Sequence, residues 1–436
     1  MTDDLRRALA RGQLTRFQLA AVAVCIALNM LDGFDILAMS FAASGVKADW
    51  GLRDAQLGAL LSAGLVGMGV GSLLLGPCAD RFGRRGIVLL SIALAGGGML
   101  GAAAARDFAE LLMLRVVTGL GIGGTIASAA VVVAEYASDR WRRAALGAYA
   151  TGYSLGATVG GALAAYAIPR YGWRSAFVIG GVMSLSMLPV AWLRLPESIE
   201  FLLARRPAGA LRKINTLLAR LGLPPQDSLP ESVAAPAGGP QHRRATLAPL
   251  LTPATLLVWA MYFCTMAGFY FIVSWTPRLL HAAGLSASQG LTGGVLLNLG
   301  GIAGCALYAL AAARVDAHRL LLGSLAGSAL LCALFGLTLT HLDAALSTAL
   351  LLGIISNAAM AGLYAVGPPL YPTAVRATGM GWAIGIGRFG AILSPLASGA
   401  LSDHGWAPAQ LYAACSVPFI IGAAAMLAIG PARPPR

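Results

Sequence analysis

Two aspartates lie in the first long apolar run of the chain. Asp32 and Asp35 are three residues apart, so in a helix they share one face, and Asn29 extends that face by a turn. Two carboxyls this close do not readily ionise together, and burial further favours their protonated form. The spacing therefore predicts a proton carrier that titrates as a pair. The alternative is a structural charge pair.

Two arginines also lie inside apolar runs. Asp35 is about nine residues before the end of its run and Arg115 is about eight residues after the start of another, so at about 1.5 Å per residue they lie at similar depth. We expect a switchable ion pair of Arg115 with Asp35 or Asp32, which proton binding loosens. Its alternative is a fixed structural pair.

Arg388 lies near the middle of a later apolar run. A guanidinium can hold a carboxylate through two parallel hydrogen bonds, so Arg388 is the candidate counter-charge for an anionic substrate. The alternative is an arginine satisfied by helix carbonyls. Aromatic side chains nearby can stack on a ring or simply pack. The candidate substrate-binding residues are Arg388, Arg115, Asn29, Tyr270, Trp275 and Tyr364.

The elements that position these residues are membrane-spanning helices. Of 436 residues, 58% are hydrophobic and only 11% are charged, whereas about a quarter are charged in soluble domains. A spanning helix needs about 20 mainly apolar residues, and the chain has room for twelve. The predicted spans begin near Phe17, Leu52, Gly86, Phe108, Ala144, Trp173, Leu251, Ser288, Leu320, Ala344, Thr378 and Ala409.

The net charge of +13 comes from basic residues in short segments between apolar runs, which favours membrane topology over nucleic-acid binding. With both termini cytoplasmic, 23 Lys and Arg residues lie inside and six outside. The longest hydrophilic interval divides the chain into two six-helix halves, a known transporter plan. The predicted units are residues 1–196, a cytoplasmic central loop at 197–250, and residues 251–436.

The central loop has two predicted parts. Leu211, Ile214, Leu218 and Leu221 would share one face of an amphipathic helix, and residues 223–240 are a Pro/Gly-rich linker. The N-terminal residues do not resemble a signal peptide, so the first apolar run is expected to stay as a helix. The six cysteines occur singly, and no nucleotide loop, nucleophile triad or metal cluster is apparent. We therefore expect no enzyme activity, no metal and no cofactor other than protons.

Several motifs resemble those of the major facilitator superfamily. These are GPCADRFGRR at residues 76–85, RVVTGLGIGG at 115–124 and PES at 196–198, of which the last also occurs in sugar transporters. ARVDAHR at 313–319 is a degraded second copy of the first. The resemblance implies a conformational role for the loop residues, and Glu135 ends the fourth span beside three arginines. The candidate gating residues are Asp80, Arg81, Gly83, Arg84, Arg85, Glu135, Asp316 and Arg376.

A narrower resemblance lies in LDGFD at residues 31–35, YPTAVRATG at 371–379 and GIGRFG at 385–390. Together these are similar to the aromatic acid:proton symporter family. The resemblance implies an all-α transporter, with Asp32 and Asp35 as functional acids, that imports a benzoate-like carboxylate across the bacterial inner membrane. We expect a monomer. Ala157 replaces the proline of exporter motifs, which favours symport. The alternatives are a sugar or aliphatic-acid symporter and a transporter-like sensor.

Overall fold

A computed structural model describes residues 15–207, 209–221, 225–226, 252–339, 341–371 and 376–430, with the side chains of 139, 140, 143, 376 and 377 left out. This part of the chain contains fourteen α-helices. They are α1 (Arg16–Trp50), α2 (Asp54–Phe82), α3 (Arg84–Ala104), α4 (Phe108–Tyr136), α5 (Asp139–Tyr171), α6 (Arg174–Arg194), α7 (Ile199–Arg205), α8 (Ala210–Arg220), α9 (Pro253–Ala282), α10 (Ala287–Ala311), α11 (Ala317–Thr338), α12 (Leu342–Val366), α13 (Arg376–Asp403) and α14 (Pro408–Ile429).

Eleven of the described helices are long and apolar enough to cross a membrane. Eleven of the twelve predicted starts lie within three residues of a helix start. The start predicted near Ala144 differs most, because α5 begins at Asp139. The same helix is the one long helix among the described residues that does not qualify as a span. Its middle carries glycine, tyrosine, serine and threonine, which lower its apolarity.

The short helices follow the sixth long helix. The prediction of an amphipathic helix is confirmed by α8, which buries Ile214, Leu217 and Leu218 on one face. The predicted linker at residues 223–240 lies almost wholly outside the described residues. The proposed boundaries of the three units therefore stay a prediction.

Glycines allow the long helices to approach one another closely. A Cβ at Gly67 of α2 would overlap the main-chain oxygen of Val116 in α4, and one at Gly119 would overlap that of Gly64. Helix pairs in membranes associate through such small-residue contacts, since lipid supplies no hydrophobic driving force between helices. This contact holds α4, and with it Arg115, against α2.

The helices alternate in direction, which defines two ends of the bundle. The end that we call distal is formed by the turns at residues 51–53, 105–107, 172–173, 283–286 and 404–407. We call the opposite end proximal. Helices α1 to α6 pack mainly among themselves, as do α9 to α14. The two groups meet where α2 contacts α13, α5 contacts α10 and α1 contacts α9.

At the distal end the two helix groups are tied together around the start of α2. The Asp403 carboxylate at the end of α13 accepts hydrogen bonds from the main-chain N–H groups of Asp54 (2.7 Å) and Ala55 (3.0 Å). These are donors that the first turn of a helix leaves without partners. The Asp54 carboxylate in turn binds Lys47 at 2.6 Å, Ser402 at 2.6 Å and Arg278 at 3.5 Å. We call this group the distal latch.

Replacing Asp403 with asparagine is expected to weaken distal closure, because the amide keeps only one acceptor oxygen and loses its charge. A carboxylate cap contributes about 1 to 2 kcal/mol, so the ratio of open to closed distal ends should rise about 5- to 30-fold. Spin labels at Arg53 and Trp406 would report the distance between the two groups. Asp107, which caps α4 within one group, supplies the matched control Asp107→Asn. An unchanged distance distribution in D403N would remove the latch role.

Candidate functional site

The two aspartates of α1 are both buried, Asp32 to 4% exposure and Asp35 to 1%. Helix α5 holds this part of α1 in close contact. A Cβ at Gly33 would overlap the main-chain oxygen of Tyr153. Asn29 donates from Nδ2 to the main-chain oxygen of Tyr149 at 2.6 Å, which fixes the face that the three polar residues share.

Asp35 faces α6. Its Oδ2 accepts a hydrogen bond from the Ser184 hydroxyl at 3.1 Å. Its Oδ1 is buried without a hydrogen-bond partner in the described part of the chain, and a Cβ at Gly180 would come within 2.8 Å of it. Asp35 is therefore closely surrounded, but only one of its two carboxyl oxygens accepts a hydrogen bond from a described residue.

Arg115 lies beside Asp35, at the depth that the sequence predicts, and is 1% exposed. Its guanidinium donates to the main-chain oxygens of Asp35 (3.1 Å) and Ile36 (3.3 Å). Neither Asp32 nor Asp35 forms a salt bridge with any described residue. In this conformation the arginine thus contacts the backbone of α1, and the switchable ion pair stays a prediction.

Asp32 lies within electrostatic range of two tyrosines of α5, Tyr149 and Tyr153. Its Oδ2 is buried without a hydrogen-bond partner among the described residues. Those two tyrosines are four residues apart on α5, so they project from one face. No motif in the sequence marks these two tyrosines or Ser184 as site residues. Their signal is a pair of tyrosines at helical spacing within a glycine-rich span.

Arg388 of α13 is half-buried. Among the described residues it makes no hydrogen bond and no salt bridge, although it interacts electrostatically with Tyr270 of α9 and Tyr364 of α12. Charges in buried or half-buried positions normally have a partner. Since Arg388 has none among the described residues, its guanidinium can take an anion. Three predicted substrate-binding residues therefore come together. Trp275 does not join them, because it is 1% exposed within the apolar core.

Tyrosines connect the acids of one helix group with the arginine of the other. Tyr153 of α5 interacts electrostatically with both Asp32 and Tyr270, and Tyr270 interacts with Arg388. A path of tyrosines thus leads from the acids of one group to the arginine of the other. A guanidinium without a described partner, within electrostatic range of two tyrosines, suits a small anion whose body is aromatic.

Predicted gating residues form a network at the proximal end. Arg84 pairs with Glu135 and lies 3.4 Å from Asp80, whose side chain is 67% exposed. The Glu197 carboxylate accepts from the main-chain N–H groups of Arg84 (2.8 Å) and Arg85 (3.2 Å), and so caps α3. Glu197 is the middle residue of the PES motif, and this capping role was not predictable from that motif.

Gly83 makes the turn between α2 and α3 possible. Its φ of +105° favours glycine, and a Cβ there would come within 2.5 Å of the Glu197 carboxylate. Arg81 lies over the Phe82 ring, and Asp316 caps α11 by accepting from the main-chain N–H of His318 at 3.0 Å. The side chain of Arg376 lies outside the described residues. All the contacts described for this network stay within one helix group.

Comparisons with known proteins agree on one family. Residues 22–340 match the family model described as Major Facilitator Superfamily. The chain is 33% identical over 440 residues to a gallate transporter of Pseudomonas putida, a match that covers 99% of this chain and 96% of the relative. It is 32% identical over 434 residues to the 4-hydroxybenzoate transporter PcaK of the same species, covering 98% and 96%.

Solved structures show the same fold. A partially occluded inward-open conformation of the xylose transporter XylE from E. coli superposes with a TM-score of 0.74 at 15% identity. That match covers 95% of this chain and 100% of XylE. At such low identity the likeness concerns the helix arrangement alone.

Proposed function

Since the chain belongs to the major facilitator superfamily, in the group that includes the gallate and 4-hydroxybenzoate transporters, we propose that it imports a small aromatic carboxylate together with protons. Like these relatives, it is a membrane transporter and not an enzyme. The observation that carries the proposal is Arg388, a half-buried guanidinium without a described partner, set among tyrosines and opposite two buried acids.

Arg388 suits the carboxylate end of such a substrate. A guanidinium and a carboxylate match in shape and form two parallel, charge-assisted hydrogen bonds. Tyr270 and Tyr364, on two other helices, lie within electrostatic range of the same guanidinium, and their rings can pack against an aromatic substrate. The site would thus recognise charge at one end and an apolar face beside it.

Asp32 and Asp35 suit the proton. Two ionised carboxylates buried together without a salt bridge are disfavoured, so the pair tends to retain a proton. Proton release then requires a change of surroundings, which movement of the helix groups supplies. Protons are the coupling ion in this proposal, and no other cofactor enters it.

The distal latch supports alternating access. It closes the two helix groups at one end, while the described contacts of the proximal network stay within one group. We propose that the proximal end is cytoplasmic, because the basic residues concentrate there. In this arrangement α5 also crosses the membrane, which brings the number of spans to twelve, and both termini are cytoplasmic. The conformation is then closed to the outside of the bacterial inner membrane.

Uptake into proteoliposomes under an imposed pH gradient tests the proposal. Radiolabelled benzoates are expected to accumulate, and unlabelled aromatic carboxylates should compete better than hexoses or aliphatic acids. Competition by hexoses instead would favour the sugar symporter that the PES motif suggests. Binding in detergent without counterflow in liposomes would favour a sensor and contradict transport.

A further inference from the structure

Three arginines from three different helices line one cavity at the proximal end of the bundle. Arg16 is the first residue of α1, Arg194 is the last residue of α6, and Arg220 is the last residue of α8. The cavity has a volume of about 340 Å³, within the range of about 300 to 1,000 Å³ that is usual for ligand sites. We call it the arginine cavity. Its other lining residues are Phe17, Ala20 and Leu193.

The three guanidinium groups have no anionic partner in the described part of the chain. None of them forms a salt bridge or a side-chain hydrogen bond with a described residue. By contrast Arg84, at the same end of the bundle, pairs with Glu135. Like charges around one cavity repel one another and focus a positive potential into it, so an anion bound there would be stabilised by all three.

Helix packing places Arg220 at this cavity. Helix α8 buries Ile214 and Leu218 in an apolar cluster that also contains Val22 of α1. At the end of α8 the Arg220 guanidinium lies 5.5 Å from the centroid of the Phe17 ring, which is a cation–π contact. Phe17 belongs to the first turn of α1, the turn that begins with Arg16. The position of the third arginine therefore follows from side-chain packing on two helices.

The arginine cavity lies where two spanning helices leave the bilayer. Helices α1 and α6 both qualify as membrane spans, and the cavity is at their proximal ends. Close to it, Leu19 of α1 and Leu193 of α6 are exposed, as is Trp192. Exposed tryptophan at the end of a span is typical of the membrane–water interface. A basic pocket between spanning helices, with an apolar surface beside it, is the arrangement that binds anionic lipid headgroups.

We propose that the arginine cavity binds the phosphate headgroup of an anionic phospholipid in the proximal leaflet. The phosphate oxygens accept charge-assisted hydrogen bonds from the guanidinium groups, and the acyl chains extend along Leu19 and Leu193. A zwitterionic lipid carries its own cation and gains less from three arginines. The bound lipid joins the start of α1 to the ends of α6 and α8, and so holds α8 against the first helix group. This inference is independent of the transported substrate.

Lipid binding to the full-length protein in detergent tests the proposal. Native mass spectrometry with added phosphatidylglycerol or phosphatidylcholine gives a Kd for each lipid. The wild type should bind phosphatidylglycerol at least about tenfold more tightly. Arg16→Gln, Arg194→Gln and Arg220→Gln should each raise the Kd for phosphatidylglycerol about tenfold and change that for phosphatidylcholine less than about twofold. Arg194→Lys keeps the charge and should restore part of the lost affinity.

Arg212→Gln is the matched control. Arg212 is exposed on α8 outside the cavity, so R212Q removes the same charge from the same helix. Its Kd for phosphatidylglycerol should change less than about twofold. A rise equal to that in R220Q would mean a general attraction to the basic surface and would contradict a site. A melting temperature equal to that of the wild type, measured without added lipid, shows that each variant is folded.

A soluble anion is the competing occupant. Glycerol 3-phosphate carries the same phosphate without acyl chains, so it should not displace phosphatidylglycerol at an equal concentration. If it does, the arginine cavity binds a soluble phosphate compound and the lipid proposal is wrong. Equal affinity of the wild type for phosphatidylglycerol and phosphatidylcholine would also overturn it, because the three arginines would then contribute nothing to lipid selection.

Discussion

Replacing Asp35 with asparagine is expected to abolish accumulation driven by a pH gradient. With one proton coupled per substrate, a gradient of one pH unit corresponds to about 1.4 kcal/mol and sustains about tenfold accumulation. Asparagine cannot take up or release a proton, so the inside-to-outside ratio should fall to about one. The ratio is measured with radiolabelled benzoate in proteoliposomes, and Asp32→Asn is measured beside it.

Counterflow separates loss of coupling from loss of folding. Exchange of substrate across the membrane needs no net proton movement, so D35N should retain a measurable part of it. Asp343→Asn, at an exposed position in the first turn of α12, is the matched control and should accumulate substrate normally. Uphill accumulation retained in both D32N and D35N would remove the proton-carrier assignment.

Replacing Arg388 with glutamine is expected to produce the second large effect. Loss of one partner from a desolvated charge pair costs about 3 kcal/mol, so the KM for an aromatic carboxylate should rise on the order of a hundredfold. Arg388→Lys keeps the charge but loses the two-bond geometry, and we expect an intermediate rise of about tenfold. Initial uptake rates over a range of benzoate concentrations give both values.

A neutral analogue sharpens this test. Benzamide has the same ring but no charge, so its inhibition constant should change little in R388Q while that of benzoate rises. Arg319→Gln, at an exposed proximal position, controls for a general effect of lost positive charge. Equal weakening of benzoate and benzamide would mean that Arg388 shapes the site without binding the carboxylate.

The long helices were predictable because each is encoded locally. Apolar runs of sufficient length mark their positions, and short polar segments such as that around Arg53 mark their ends. The start of α5 was the hardest to place. Its first turn is charged and its apolar content is low, so composition alone places the start about one turn too late at Ala144.

The depth of the site residues along their helices was predictable, but the rotation of each helix about its own axis was not. Counting residues placed Arg115 level with Asp35, and the structure puts them in contact through the main chain. Which face α5 and α6 turn toward α1 depends on interhelical packing, which one sequence does not encode locally. Ser184 and Tyr153 were missed for that reason. The contact of Asp403 with Asp54 joins residues far apart in sequence, and nothing near either residue signals it.

The distal latch has a consequence for the energetics of turnover. Its bonds end on main-chain N–H groups and charged side chains, all of which water can satisfy once the end opens. Opening therefore exchanges protein partners for water, and the net cost for the Asp403 cap is about 1 to 2 kcal/mol. A seam held by large apolar side chains would be far harder to part. The polar latch lets the distal end open and close in each transport cycle, because neither the open nor the closed state is strongly favoured.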